Sequence, residues 1–250
     1  MIHVHVHPDK ATAVKSVAAS IAKLIGERAA KGQRTVLGLA TGSTPIPLYA
    51  ELVRLHREEG LSFRTVTTFN LDEYSGLGPD HDQSYRYFMQ QQLFNHVDVT
   101  ASETHVPNGL AKDVVAECAA YEAAIKKAGG IDLQVLGIGR TGHIGFNEPP
   151  AGPSTRTRQV HLDEVTRRDN ASFFGDVAKV PHHAVTMGVG TILDCRRVVL
   201  LAWGEGKAEI VQRSVEVAPA DNCPASWLQQ HAACEFVLDA PAAAKLSKTR

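Results

Sequence analysis

Short runs of β-branched and apolar residues alternate along the chain with longer stretches in which apolar positions recur at helical spacing. The runs at residues 2–6, 35–39, 65–70, 133–137, 198–203 and 235–238 predict strands, and the stretches at 11–30, 45–59, 84–94, 113–128 and 207–217 predict helices. Pro8-Asp9 before the first helix and Gly32 after it, then Pro45 early in the second and Gly60 at its end, are start and stop signals. Strands and helices alternating from end to end predict one α/β unit over residues 1–250. Its expected architecture is a doubly wound, mostly parallel, Rossmann-like sheet with helices on both faces. The segment 151–185, rich in Arg, His and Asp, is the least regular and is expected to form a flap over the site.

Composition changes this picture mainly by exclusion. The 250 residues are 44% hydrophobic and 21% charged with a net charge of -1, so no basic surplus exists to neutralise nucleic acid or an anionic lipid surface. No run of about 18 apolar residues predicts a membrane span, and the first residues lack a charged region followed by an apolar one, so the expected compartment is the cytoplasm. Cys118, Cys195, Cys223 and Cys234 are far apart and form no C-x-x-C pair, which argues against a zinc site or a disulfide framework and for buried thiols. His3, His5 and His7 alternate with Val along one strand, where they are either edge-strand polarity or three imidazoles able to bind a transition metal. Edge polarity is the simpler reading, and no metal is expected.

In an open α/β sheet ligands sit outside the carboxyl ends of the strands. Four strand-to-loop junctions carry chemistry. After residues 36–39 comes Ala40-Thr41-Gly42-Ser43-Thr44-Pro45, a small-residue loop opening a helix whose free N–H groups and hydroxyls suit an anion; it lacks the lysine of a nucleotide-hydrolysing loop. The second junction delivers Asp72 and Glu73, which point in opposite directions on an extended segment, so only one is expected to serve as a proton-transfer base. The third, Gly137-Ile138-Gly139-Arg140-Thr141-Gly142-His143-Ile144-Gly145-Phe146-Asn147-Glu148-Pro149, sets a titratable imidazole beside a carboxylate in a glycine-rich turn, with His143 as acid or base and Glu148 orienting it. The fourth, Trp203-Gly204-Glu205-Gly206-Lys207, places Lys207 to meet an anion as a point charge. Two anion-friendly loops and two proton-transfer candidates describe an enzyme acting on a small phosphorylated molecule.

These segments, together with Ser84-Tyr85, Ser154-Thr155-Arg156-Thr157-Arg158, residues 186–191 and Gly206-Lys207-Ala208, resemble the glucosamine-6-phosphate deaminase (isomerase) family in the same order over nearly the whole chain. The resemblance implies isomerisation with deamination and no cofactor, glucosamine 6-phosphate plus water giving fructose 6-phosphate and ammonia. It implies that His143 and Glu148 open the sugar ring, that Asp72 moves the C2 proton to C1, and that Thr41, Gly42, Ser43, Thr44 and Lys207 hold the 6-phosphate. A homo-oligomer is compatible with it.

Two departures from the family pattern stand out. An acidic or amide residue usually precedes the Gly-His pair, where this chain has Arg140-Thr141; a hydroxyl accepts a hydrogen bond from an imidazole but cannot neutralise an imidazolium, so His143 is expected to be a weaker base unless Glu148 compensates. Ser172 stands where the family places a phosphate-binding arginine before the Phe-Phe pair, and Arg140 is the expected replacement, ahead of Arg167 or Arg168. Regulated members carry a second phosphate site near the Ser154–Arg158 stretch and an extended C-terminus. Ala151, Val160 and His161 are poor anion ligands and the chain ends soon after Leu246, so no allosteric activation is expected. The alternatives are a 6-phosphogluconolactonase, a deaminase for another aminosugar phosphate such as galactosamine 6-phosphate, and a sugar-phosphate-sensing regulator, which would need a DNA-binding module that no segment before the first strand supplies.

Overall fold

The computed structural model describes residues 2–247. In chain order its elements are β1 (His3–His7), α1 (Lys10–Ala29), β2 (Thr35–Leu39), α2 (Ile46–Glu59), β3 (Val66–Asn70), β4 (Asp72–Tyr74), α3 (Tyr85–Gln92), β5 (Thr104–His105) and α4 (Val114–Lys127). There follow β6 (Leu133–Leu136), β7 (Arg158–His161), α5 (Glu164–Phe174), β8 (His183–Thr186), α6 (Val189–Leu193), β9 (Val198–Ala202), α7 (Ala208–Glu216) and β10 (Cys234–Asp239). All six strands expected from the apolar runs form, with ends within about two residues of the expectation.

Seven strands make one parallel sheet in the order β1-β10-β9-β6-β2-β3-β5. Alternation of side chains divides the core between its faces. In β9, Val198, Leu200 and Ala202 enter the cluster with Tyr121 and Ile125 of α4 and Val211 of α7, while Val199 and Leu201 enter the cluster with Ile21 of α1 and Leu52 of α2. Strands buried on both sides have no polar face, which is why they appear in sequence as continuous apolar runs. Helix α1 starts where Asp9 accepts the Thr12 N–H at 2.7 Å, and α2 stops at Gly60, whose φ of 76° is a left-handed cap.

The chain order runs outward one way through β2, β3 and β5 and the other way through β6, β9 and β10. The direction reverses between β2 and β6, which pair at Leu37 with Leu133 and Gly38 with Gln134. A crevice opens beyond the carboxyl ends of such a strand pair. Gly38 is needed here because a Cβ on it would lie 1.9 Å from the Gln134 Oε1, so the two strands close up only around a bare backbone.

A second sheet, antiparallel and ordered β4-β8-β7, stands beside the crevice. It was not expected. Leu71 is the joint: its N–H donates to Leu39 O of the large sheet at 3.0 Å, and its carbonyl accepts from Met187 at 2.7 Å just beyond β8. The segment 151–185, expected to be irregular, supplies two strands of this sheet and helix α5, so what covers the crevice is a helix held at both ends. Asp163 caps α5 by accepting the Val165 N–H at 2.7 Å, and Gly175 closes it in the left-handed conformation. Phe174 packs its ring edge-on against Tyr74 of β4, with centroids 5.4 Å apart.

Other expectations meet the structure as follows. All four cysteines are buried and free. Strand β1 is an edge strand, and His5 Nε2 lies 3.6 Å from Glu235 Oε2; among the described residues no group of three His, Cys, Asp or Glu side chains is placed to hold a metal ion. No helix among them is long and apolar enough to cross a membrane. The last three residues, on which the expectation of a short C-terminus bears, lie outside the described residues.

Candidate active site

The crevice holds a cavity of about 510 Å³ lined by the loop after β2, the end of Leu71-Asp72, the glycine loop after β6, helix α5 and Lys207. Each of the four junctions therefore contributes to one space. The loop residues Thr41, Gly42, Ser43 and Thr44 line it, with Gly42 at a φ of 89° that lets the chain turn into α2. Trp203 at the end of β9 donates its Nε1–H to Thr44 O at 3.1 Å and so fixes this loop.

Asp72 is nearly fully buried and faces the cavity. Burial, reinforced by the negative charge of Glu73, pushes its carboxyl well above the ordinary value, and no donor among the described residues bonds to it. Glu73 points the other way. Its carboxylate accepts the backbone N–H groups of Tyr74, Tyr85 and Arg86 at 2.9, 2.9 and 3.0 Å. Burial raises it to about 7 against the pull of those three donors. Glu73 thus anchors the first turn of α3 while Asp72 stays free for a ligand, the division expected from their adjacency on an extended segment.

In the glycine loop the imidazole of His143 and the carboxylate of Glu148 form a close pair, Nδ1 to Oε1 at 2.6 Å. Thr141 Oγ1 donates to Glu148 Oε2 at 2.7 Å and lies 3.1 Å from His143 Nδ1. Thr166 of α5 donates to Glu148 Oε1. Burial alone would raise Glu148, but the hydrogen bond and charge of His143 and the two hydroxyls overcome it and hold the carboxyl down at about 2. With Nδ1 engaged by Glu148, Nε2 is the nitrogen left to exchange a proton with a ligand. Glu148 is thus the carboxylate that pairs with His143, and the hydroxyl of Thr141 steadies it. The ring fits because position 139 is glycine: a Cβ there would lie 2.0 Å from His143 Nε2. Buried Asn147 ties the loop to the small sheet, donating to Ile144 O and Met187 O at 2.8 Å each and accepting from Arg158 at 2.8 Å.

Lys207 donates to Ile138 O at 2.7 Å and reaches the cavity; burial, aided by the charge of Arg140 and opposed by Asp169, depresses its ammonium below the ordinary value. Arg140 also lines the cavity, and its guanidinium bonds the Asp169 carboxylate of α5. Arg167 is turned to the carbonyls of Val177 and Val180, Arg168 pairs with Glu164 at 3.0 Å, and neither lines the cavity; nor does Ser172. Of the three arginines considered for the missing charge, Arg140 alone is in place.

Sequence reasoning missed Tyr85, Phe146, Thr166, Asp169 and Asn170 in the lining. The last three had a signal: residues 166, 169 and 170 fall on one face of a helix. Recognising it required seeing that the Asp163 cap starts one.

Chemically, the cavity offers an unpaired buried carboxyl, an imidazole–carboxylate dyad, and an anion cradle of a helix-opening loop with two cations. A family model described as glucosamine-6-phosphate isomerases/6-phosphogluconolactonase matches residues 8–237. A glucosamine-6-phosphate deaminase of Shewanella halifaxensis (strain HAW-EB4) is 53% identical over 93% of this chain and 88% of its own length. Glucosamine-6-phosphate deaminase 1 of Giardia intestinalis is 48% identical over 93% of this chain and 88% of its own. Among solved structures, one described as a monomeric glucosamine-6-phosphate deaminase superposes with a TM-score of 0.94 at 42% identity, covering 98% of this chain and 100% of that one. The 6-phosphogluconolactonase from Trypanosoma cruzi, at 20% identity and a TM-score of 0.79 over 99% and 98% of the two chains, shares the fold. With a model match over most of its length and relatives near half identical, the chain belongs to the glucosamine-6-phosphate isomerase/6-phosphogluconolactonase family.

Proposed function

We propose that the protein is a glucosamine-6-phosphate deaminase, converting glucosamine 6-phosphate and water to fructose 6-phosphate and ammonia. The observation that carries the reading is Asp72: a carboxyl buried at the cavity wall with no donor of its own, in a chain 53% identical to a named deaminase. A desolvated carboxylate is a stronger base than a hydrated one, which suits abstraction of a proton beside an imine or carbonyl.

In this reading the phosphate sits between the loop of Thr41, Gly42, Ser43 and Thr44 and the cations Lys207 and Arg140, which fixes the sugar by its distal end. His143, oriented by Glu148 and Thr141, moves the proton between the O1 hydroxyl and the ring oxygen as the ring opens. Asp72 takes the C2 proton of the open chain, giving an enolamine, and returns it to C1. The resulting imine of fructose 6-phosphate is hydrolysed by water, and ammonia leaves. Every step is a proton transfer or a water addition, for which the side chains present suffice. No second effector site is part of this reading, and a rate curve that stays hyperbolic with and without N-acetylglucosamine 6-phosphate is the expected result.

The test is to incubate the purified protein with glucosamine 6-phosphate and measure ammonia and fructose 6-phosphate in the same sample, expecting equimolar release. Hydrolysis of 6-phosphogluconolactone with no ammonia from the aminosugar would overturn the reading, and turnover confined to galactosamine 6-phosphate would reassign the substrate.

A further inference from the structure

Helix α5 is clasped to the glycine loop by two side-chain contacts, Thr166 to Glu148 and Asp169 to Arg140. The second has an unusual setting. Arg140, Lys207 and Asp169 all line the cavity, so two cations and one carboxylate share the wall assigned to the phosphate. The carboxylate belongs to the covering helix, not to the cation-bearing loops. Arg168 and Glu164, the other ion pair of α5, face outward and do not line the cavity. Arg140 and Asp169 remain 65% and 47% exposed at the side chain, so water can reach and exchange the pair.

We propose that Asp169 is a built-in counter-anion of the phosphate subsite, pairing with Arg140 at the cavity wall and giving way to the phosphate of the incoming sugar. The inference rests on the reading of Arg140 and Lys207 as phosphate ligands. Arg140 meets Asp169 through a single nitrogen, whereas a phosphate dianion carries a second charge, can engage the guanidinium through two oxygens and also meets Lys207 in the same cavity, so exchange of the carboxylate for the phosphate favours the phosphate. The freed carboxylate then lies near a dianion, and like charges at such separations repel. Asp169 therefore lowers the affinity for phosphate and, with it, sets how readily a phosphorylated product leaves. It also makes the position of α5 responsive to whether the subsite is filled, because the helix loses its tie to Arg140 when the anion binds. Asp169 is a determinant of affinity through Arg140 and is assigned no part in the proton transfers.

The experiment is a titration of the whole protein with inorganic phosphate by calorimetry, following in parallel the fluorescence of Trp203, whose indole bonds the phosphate loop at Thr44. Asp169→Asn is expected to tighten phosphate by about threefold to tenfold, the range for losing one exposed opposing charge. Arg140→Ala is expected to weaken it, and in the Arg140→Ala background the gain from Asp169→Asn should be smaller than in the parent, because only the direct repulsion between carboxylate and anion remains. Glu164→Gln, which removes a charge from the outward side of the same helix, should shift affinity by less than about twofold. An unchanged or weaker affinity in Asp169→Asn overturns the proposal. So does an equal gain without Arg140, or an equal gain from Glu164→Gln, since either makes Asp169 one diffuse charge among others. Phosphate binding is measured without turnover, so the two readings fail separately. Ammonia release with no gain from Asp169→Asn sinks only the counter-anion, and a coupled gain with no ammonia release sinks only the deaminase.

Discussion

Replacing Glu148 by Gln isolates what the ionised carboxylate of the dyad does for both stability and chemistry. Its side chain is 15% exposed and its carboxyl is held at about 2 against an ordinary 4.5, burial working upward and the bonds from His143, Thr166 and Thr141 overcoming it. At about 1.4 kcal/mol per pH unit of displacement, the ionised form contributes about 3 kcal/mol to folding. A depressed carboxyl stabilises the fold above its unfolded value and loses that effect as pH falls from 4.5 through about 2. Gln keeps the volume and still accepts from Nδ1, but it has no charge and turns an amide N–H2 toward one of the hydroxyls. Urea unfolding at about pH 5.5 should show Glu148→Gln less stable than the parent by about 2–3 kcal/mol, and the gap should close toward about pH 2.5. Turnover should fall by about 10²–10⁴-fold, because the imidazole loses the partner that fixes its tautomer and orientation. A stability gap equal at both pH values would refute the ionisation argument. Parental turnover would remove the dyad from the chemistry.

Asp72→Asn should abolish most activity, by about 10²–10⁴-fold, without harming the fold. Because the buried Asp72 carboxyl is raised, the folded protein keeps a proton that the unfolded chain has released above 3.8, so parental stability falls as pH rises through that window and the variant should lack this slope; an identical pH–stability curve would count against it. Gly139→Ala puts a methyl group where the imidazole lies, 2.0 Å from Nε2, and should lower kcat severely and, by pushing the ring off Glu148, lower the melting temperature while the circular dichroism spectrum stays near parental; a normal kcat would show that His143 has room to shift. Lys207→Ala removes a half-buried ammonium from the cavity and should raise the KM for the phosphorylated substrate by about tenfold to a hundredfold, whereas a change in kcat alone would place Lys207 in the chemistry.

The large sheet was legible because strands buried on both faces carry apolar runs, and the ends of those runs pointed to the Thr41–Thr44 loop, Asp72, His143 and Lys207. What escaped was held together by partners distant in sequence. Strand β4 has three residues, one of them the candidate base, and owes its conformation to β8, more than a hundred residues later. The strands β7 and β8 show weak alternation, and α5 hides in a charged stretch because its apolar contacts are few. Thr141 appeared from sequence as a weakening of His143; only the approach of Glu148 Oε2 at 2.7 Å shows the hydroxyl steadying the carboxylate instead. The pairing of Arg140 with Asp169 spans 29 positions and has no local signature.

The joint at Leu71 separates two mechanical frames. The loop of Thr41–Thr44 and Lys207, proposed to hold the phosphate, hangs from the seven-stranded sheet, while Asp72 and the roots of α5 hang from the three-stranded one. A lineage carrying this plan can drift in β4, β7 and β8 and thereby change which carbon of a tethered sugar meets the carboxylate, without touching the residues that grip the tether. In the proposed reading, the grip on the phosphate and the proton transfer thus belong to different stretches of chain, meeting at one residue.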